Sequence, residues 1–391
     1  MKILILSASI GSGHMQAAEA IAEAIIGSRV KEQGASIEAS VVDFMNIEVS
    51  TLNWLLKKAY LSILGLVPDL YDRIYRLAGV RQFGSITRLI WSTLMYLPFA
   101  KLVNKLKPDV IICTHPFPEA AATLWKFLHP KSDKRFTLAA VLTDYSLHEI
   151  WIYNGVDMYF VATEEMKREL EAHGQYNVFA TGIPIRKCFA GIRIKGKIGA
   201  RNKEQGASEA LADKKLDPRP LTLDTNKTVL IMGGGLGLGA FEDTILALED
   251  IDFKMKLIVI TGKNERLQSK LKSLKTKHEL VVLGFVDNIC ELMQEADILI
   301  SKPGGLTLSE AFAVGLPILL LPPIPGPESL NAEYAVNKGV ALSLQSSNEI
   351  VSAISIVNDT EKLQSMRESA KRLARPFAAT DISKRLIDIL N

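Results

Sequence analysis

Cysteine is scarce. The 391 residues hold three, Cys113, Cys188 and Cys290. They are widely separated, odd in number and form no C-x-x-C pair, so no cysteine zinc site can be built from them, and reduced cytosolic thiols are expected. An excess of one charge is also missing. Lys and Arg number 46 against 43 Asp and Glu, a balance that argues against a dedicated nucleic-acid binder. No apolar run approaches the roughly 20 residues a membrane span needs. The chain opens directly on the strand-like MKILILSAS, which predicts no signal peptide. Complete nucleotide fingerprints are absent too. After IGSGH, Gln16 stands where a dinucleotide motif would place its third glycine, and the Gly-Lys-Ser/Thr ending of a P-loop is lacking. The looser Gly235, Gly237, Ala240 turn is followed by a strand ending in Thr261, Gly262 and Lys263, with no acid for an NAD ribose.

What is present is strand-helix alternation, and it occurs twice. Buried-strand runs at Lys2–Ser9, Asp109–His115, Thr137–Thr143, Met158–Thr163 and Val178–Thr181 alternate with helical periodicity up to about residue 185. Residues 186–227 lose periodicity and read as a linker with a mobile loop. A second series follows at Thr228–Met232, Lys256–Ile260, Glu279–Leu283, Asp297–Ser301 and Pro317–Leu321, with a helical tail over 359–391. This predicts an α/β protein of two doubly wound, Rossmann-like domains (1–185 and 228–358) facing each other across a cleft.

Ligands of open α/β sheets bind at the carboxyl ends of strands. Gly13 and His14 follow the first strand, and Asp144 and His148 follow the third. Asp144 and His148 could form a metal pair, but no third ligand stands at helical spacing, so contact with substrate is the stronger reading and no metal is expected. In the second domain, Gly233, Gly234 and Gly235 make a phosphate-binding turn. The stretch ISKPGGLTLSEAFAVGLPILLLPPIPGPESLNAE combines a strand, a tight Lys302-to-Gly305 loop, a helix carrying Thr307 and Glu310, and a second loop carrying Glu328 and Asn331. A glycine loop feeding a helix start presents unpaired N–H groups and a partial positive charge, which suits a diphosphate. Glu310, one turn in, is placed to accept from a ribose hydroxyl.

Residues 51–107 differ from the rest. They carry nine Lys or Arg against Asp69 and Asp72, a net +7, so the remainder of the chain is −4. Eight aromatics fall here, among them Trp54 and Trp91. Basic residues mixed with Trp, Tyr and Leu on helices suit an anionic membrane interface, while the plainer alternative is a helical insertion packed on the first domain.

GSGH, LTDYSLHEIW, TGIPIR, SKPGGLTLSEA and PIPGPESLNAEYA, in this order, resemble the diacylglycerol glycosyltransferases, the plant-type monogalactosyldiacylglycerol synthases and bacterial processive diacylglycerol glucosyltransferases. The resemblance covers nearly the whole chain outside 190–225. It implies the two-domain GT-B fold and inverting transfer of a hexose from a UDP-sugar to diacylglycerol, by a cytoplasmic enzyme peripheral to the inner membrane face. It also implies donor contacts by Gly304, Gly305 and Thr307 to the diphosphate, with Glu310 on the ribose and Glu328 and Asn331 on the sugar. Gly284, Phe285 and Val286 would hold the uracil. His14 or Asp144 would act as base, and backbone N–H groups with Lys302 would steady the departing UDP. One departure is Pro327, where the family usually has Gln, which leaves glucose and galactose open. Three other readings are N-acetylglucosamine transfer to a lipid-linked cell-wall precursor, a UDP-sugar 2-epimerase, which would leave the 51–107 segment without purpose, and a non-catalytic UDP-sugar sensor.

Overall fold

Continuous apolar runs become strands here because each face of the sheet is covered. In the computed structural model, which describes residues 1–9, 13–28, 37–46, 81–130, 136–191, 227–234, 241–323, 326–346 and 349–390, successive residues of β1 (Lys2–Ser7) feed two different cores. Ile3 and Ile5 pack with Ala18, Ile21 and Ile25 of α1 (Gly13–Ser28). Leu4 and Leu6 pack on the opposite face with Met95, Phe99 and Trp125. That is the two-residue period of a strand, with both faces buried.

The first sheet adds β2 (Glu38–Asp43), β3 (Val110–Cys113), β4 (Thr137–Val141), β5 (Met158–Val161) and β6 (Val178–Ala180). All pairings are parallel, in the order β2-β1-β3-β4-β5-β6. Helices α2 (Arg81–Leu106), α3 (Pro116–Leu128) and α4 (Glu164–Ala172) complete this domain. The second sheet contains β7 (Lys227–Met232), β8 (Met255–Ile260), β9 (Glu279–Leu283), β10 (Ile298–Ser301), β11 (Ile318–Leu320) and β12 (Ala341–Ser343), in the order β12-β11-β10-β7-β8-β9, again parallel. Its helices are α5 (Phe241–Ala247), α6 (Glu265–Lys272), α7 (Ile289–Glu295), α8 (Gly305–Val314), α9 (Pro327–Asn337), α10 (Ile350–Ile354) and α11 (Thr360–Leu373). Strand order reverses between β1 and β3 in one sheet and between β7 and β10 in the other. Those are the topological switch points at which such sheets form a crevice.

The last helix, α12 (Ala378–Leu390), does not stay with the second domain. It packs on α1, and Ile382 and Leu386 are fully buried in the first domain's core. The chain therefore crosses between domains twice, after Arg186 and again near Arg375. The crossings touch: a Cβ built on Gly182 would overlap the Arg375 side chain. Gly182 also has φ 92°, a conformation that other residues rarely adopt.

Three expectations change. Cys188 and Cys290 are not independent thiols; they are joined as a disulfide, their Cα atoms 6.2 Å apart, because the chain segment after Arg186 folds against α7. Trp91 is not an outward anchor but half-buried, stacked on Phe117 at 4.1 Å between ring centres. It lies on the inner stripe of α2 with Met95, Phe99 and Val103, and the outward apolar residues are Leu89, Ile90 and Leu97. Sequence patterning also passed over β2 and β12, the edge strands. Trp54 and Gly235, most of the 186–227 linker, and residues 47–80 of the basic insertion lie outside the described residues. Among the described residues no helix is long and apolar enough to cross a membrane.

Candidate active site

Both switch points open onto one crevice, and each contributes a helix start. In the first domain α1 begins at Gly13, directly beyond β1. A methyl group built on Gly13 would sit 3.7 Å from the Cβ of Leu306, the second residue of α8, so the two helix N-termini face each other. In the second domain α8 begins at Gly305, behind the N-cap Gly304, which has no side chain to occupy the free N–H groups of the first turn. Two partial positive charges thus converge. Gly305 is required by proximity: a Cβ there would overlap the Thr143 carbonyl oxygen at the end of β4.

His14 is held by the ends of two neighbouring strands. Its Nδ1 lies 2.9 Å from the Thr114 carbonyl oxygen and 2.7 Å from Thr143 Oγ1. A carbonyl only accepts, so Nδ1 carries the proton and Nε2 the lone pair. Thr114 Oγ1 donates in turn to the His14 carbonyl at 3.0 Å. Burial lowers the His14 pKa from its ordinary 6.5, and nearby Asp144 and the Thr114 carbonyl pull partly the other way. The imidazole is therefore neutral at neutral pH, with a defined tautomer. His115 stands edge-on to it, ring centres 4.7 Å apart. Its Nδ1 accepts from the Phe117 amide at 3.2 Å and so caps α3. Burial first, and then His14, hold His115 well below the usual histidine range.

Asp144 is bolted to the opposite domain. Asn331, fully buried on α9, donates from Nδ2 to Asp144 Oδ1 at 2.9 Å and accepts from the Tyr145 amide at 2.8 Å. The Tyr145 hydroxyl pairs with Ser309 Oγ of α8 at 2.8 Å, and its ring stacks on Tyr334 at 4.5 Å. In this arrangement the Asn331 amide is engaged across the interface. His148 acts within its own loop. Its Nδ1 accepts from the Ile150 amide at 3.2 Å and caps a short turn, Glu149–Trp151. Asp144 thus bonds across the interface, and His148 bonds within its own loop.

Glu310 is buried beneath the start of α8. Desolvation raises its pKa from 4.5 to about 7, against the pull of Arg186, whose guanidinium lies 3.4 Å away. Lys302 and Glu328 pair at 3.4 Å. Thr307 is half-buried on the first turn of α8, and Gly233 and Gly234 end β7 at the same switch point. Phe285 is exposed and Gly284 and Val286 half-buried, just beyond β9. Reading the sequence alone missed Thr114, Thr143, His115 and Arg186. All but Arg186 directly follow apolar strands, and that position was their only signal.

Two facing Rossmann-like domains, each with a helix starting at a glycine beside its switch point, make the GT-B architecture. Solved structures with this fold include MurG from Acinetobacter baumannii (TM-score 0.58, 14% identity, 99% of each chain covered). Another is the UDP co-structure of MnaA from S. aureus (TM-score 0.58, 14% identity, 100% of this chain and 97% of that one). Residues 14–185 match the family described as monogalactosyldiacylglycerol (MGDG) synthase, and 228–386 match the glycosyltransferase family 28 C-terminal domain. The processive diacylglycerol beta-glucosyltransferase of Bacillus cereus (strain ATCC 10987 / NRS 248) is 31% identical over 97% of this chain and 92% of its own. That of Bacillus pumilus (strain SAFR-032) is 29% identical over 99% and 94%. The chain belongs to the diacylglycerol glycosyltransferase family.

Proposed function

We propose that this enzyme transfers a glucosyl group from UDP-glucose to the free hydroxyl of diacylglycerol at a membrane surface, with inversion. The observation that carries the reading is the neutral His14 with its Nε2 lone pair, fixed beside two converging helix starts. The acceptor hydroxyl gives its proton to Nε2 as its oxygen attacks the anomeric carbon; the bond to the UDP oxygen breaks on the opposite face. Inversion of an α-linked donor gives a β-glycoside, in keeping with the name of the full-length relatives. Asp144 favours the imidazolium that forms, and Thr143 and the Thr114 carbonyl keep the ring oriented. The departing diphosphate meets the free N–H groups of α8 and of the Gly233–Gly234 turn, with Lys302 alongside. Glu310 accepts from the ribose hydroxyls, and the Gly284–Val286 loop takes the uracil. Glu328 and Asn331 meet the sugar once Asn331 exchanges its Asp144 partner for a hydroxyl.

Diacylglycerol stays in the bilayer, so the enzyme must reach it there. Leu89, Ile90 and Leu97 form an exposed apolar stripe on α2, continued by Lys101 and Lys105. This supports interfacial docking, apolar groups inserted and lysines at anionic headgroups. The test is product formation from diacylglycerol in anionic vesicles, with UDP-glucose, UDP-galactose and UDP-N-acetylglucosamine supplied separately. A β-glucosyl lipid from UDP-glucose is expected. Product from another donor corrects the sugar, and nucleotide binding without glycolipid from any donor rejects the acceptor.

A further inference from the structure

His115 presents an unpaired donor beside the base. Its Nδ1 accepts from the Phe117 amide at 3.2 Å, so the one proton of the neutral ring sits on Nε2. The ring cannot easily turn away, because it caps α3 and the next residue, Pro116, fixes the start of that helix. Among the described residues nothing bonds to Nε2, although the side chain is only 6% exposed. A buried donor without a partner is unfavourable, and a ligand oxygen placed there removes the penalty. The surroundings indicate which ligand. His14 stands edge-on, ring centres 4.7 Å apart. Phe117 lies 4.6 Å from His115, and Trp91 stacks on Phe117 at 4.1 Å. Leu89 and Ile90, which directly precede Trp91 on α2, are exposed. A series of ring contacts thus runs from the base to the exposed apolar stripe, and the free N–H stands on it one ring from the base. An apolar chain can follow the Phe117 and Trp91 part, and an acceptor oxygen fits the N–H.

We propose that His115 binds the acceptor lipid, its Nε2–H donating to the carbonyl oxygen of the ester next to the free hydroxyl, and that this contact makes the enzyme prefer ester-linked to ether-linked glycerides. The assignment rests on the proposed transfer to diacylglycerol. The hydroxyl meets Nε2 of His14 while the neighbouring ester meets Nε2 of His115, so the glycerol is fixed at two points and its oxygen is oriented for attack. The acyl chain beyond that ester passes Phe117 and Trp91 toward Leu89 and Ile90. The donor has to be uncharged, because an imidazolium at this place would oppose the proton that His14 takes up. Burial and the neighbouring His14 keep His115 neutral. A dialkyl glyceride offers the same hydroxyl and the same chains but no carbonyl. Bound in the same way, it leaves the N–H of His115 unpaired.

The test compares glycolipid formation by the full chain from 1,2-diacylglycerol and from the 1,2-dialkylglycerol of equal chain length, in the same anionic vesicles with UDP-glucose. For the wild type, kcat/KM should be about tenfold lower on the dialkyl lipid, the effect of one buried donor left unpaired. His115→Ser keeps an oxygen that can cap α3 but has no ring N–H. It should use diacylglycerol only about as well as the wild type uses the dialkyl lipid, with a ratio between the two lipids near one. Its UDP affinity, a property of the other domain, should stay at the wild-type value and show the fold intact. Equal wild-type rates on the two lipids would overturn the assignment and leave the proposed reaction standing. A tenfold preference that persists in His115→Ser would overturn it too, since it would then arise in the bilayer. No glycolipid from either lipid with any UDP-sugar would reject the proposed reaction itself, and this assignment with it.

Discussion

If Glu310 holds the ribose, as proposed, nucleotide binding depends on pH in a direction set by the burial of its carboxyl. The carboxyl is buried, with a pKa of about 7 in the empty crevice. Only its ionised form accepts two ribose hydroxyls, so UDP must bind the deprotonated protein. The apparent dissociation constant then scales as one plus the ratio of protonated to ionised Glu310. That factor is about 11 at pH 6, about 2 at pH 7 and about 1.1 at pH 8. UDP affinity should rise roughly tenfold from pH 6 to pH 8, or about 1.4 kcal/mol. Glu310→Gln keeps the shape and one acceptor oxygen but no charge. It should bind about tenfold more weakly than wild type at pH 8 and show no slope. The same shift has a stability sign. The folded pKa lies above the 4.5 of the unfolded chain, so the group's stabilising contribution is complete below about pH 4.5 and is lost as pH rises through about 7. Relative to Glu310→Gln, wild type should lose thermal stability between pH 5 and pH 8. Calorimetric UDP titrations at pH 6, 7 and 8, with melting curves, decide the matter. Equal affinity at pH 6 and pH 8, or a slope that survives in Glu310→Gln, would refute the reasoning.

Other predictions follow from the same geometry. His14→Ala should lower turnover by about 100-fold or more while leaving UDP affinity near wild type, since it removes the base and not a donor contact; normal turnover dismisses that role. Gly305→Ala places a methyl against the Thr143 carbonyl and forces the domains apart; a folded protein with turnover down by at least about tenfold is expected, and unchanged kinetics would mean the interface is not tight there. Glu119 is fully buried on α3, and burial holds its pKa well above the usual range against the smaller opposing pull of the Tyr159 hydroxyl. Its uncharged form is the one the fold accepts, so stability falls as pH rises above the ordinary carboxyl range. Glu119→Gln should melt higher than wild type at pH 8 and differ little at pH 5, and an identical pH dependence of the two proteins counts against this.

The strands and the glycine turns were legible because burial on two faces and a helix start both leave local signatures. Lys2–Ser9, read as one apolar run, is β1 but for its last two residues, and Glu279–Leu283 coincides with β9. The edge strands were not legible. β2 is only partly buried, and β12 is three residues long, so neither carries a strong apolar run. At the site, His14 stood out as a histidine in a glycine turn. Its tautomer did not, because Thr114 and Thr143 lie 100 and 129 residues away and act through an ordinary carbonyl and hydroxyl. Asn331 was visible as a motif residue, but its bonds to Asp144 and Tyr145 depend on how the domains meet. Cys188 and Cys290, 102 residues apart, gave no local sign of pairing.

The return of α12 to the first domain has a mechanical consequence. A body attached to its neighbour by one chain is free to turn about many axes, but a second attachment removes most of them. Here the two attachments lie side by side, with Gly182 under Arg375. The crevice can therefore swing like a door on a single pin, its mouth at His14 and Gly305 travelling furthest while the pin scarcely moves. A bulky residue at Gly182 would act on that pin and reach the chemistry only through the swing.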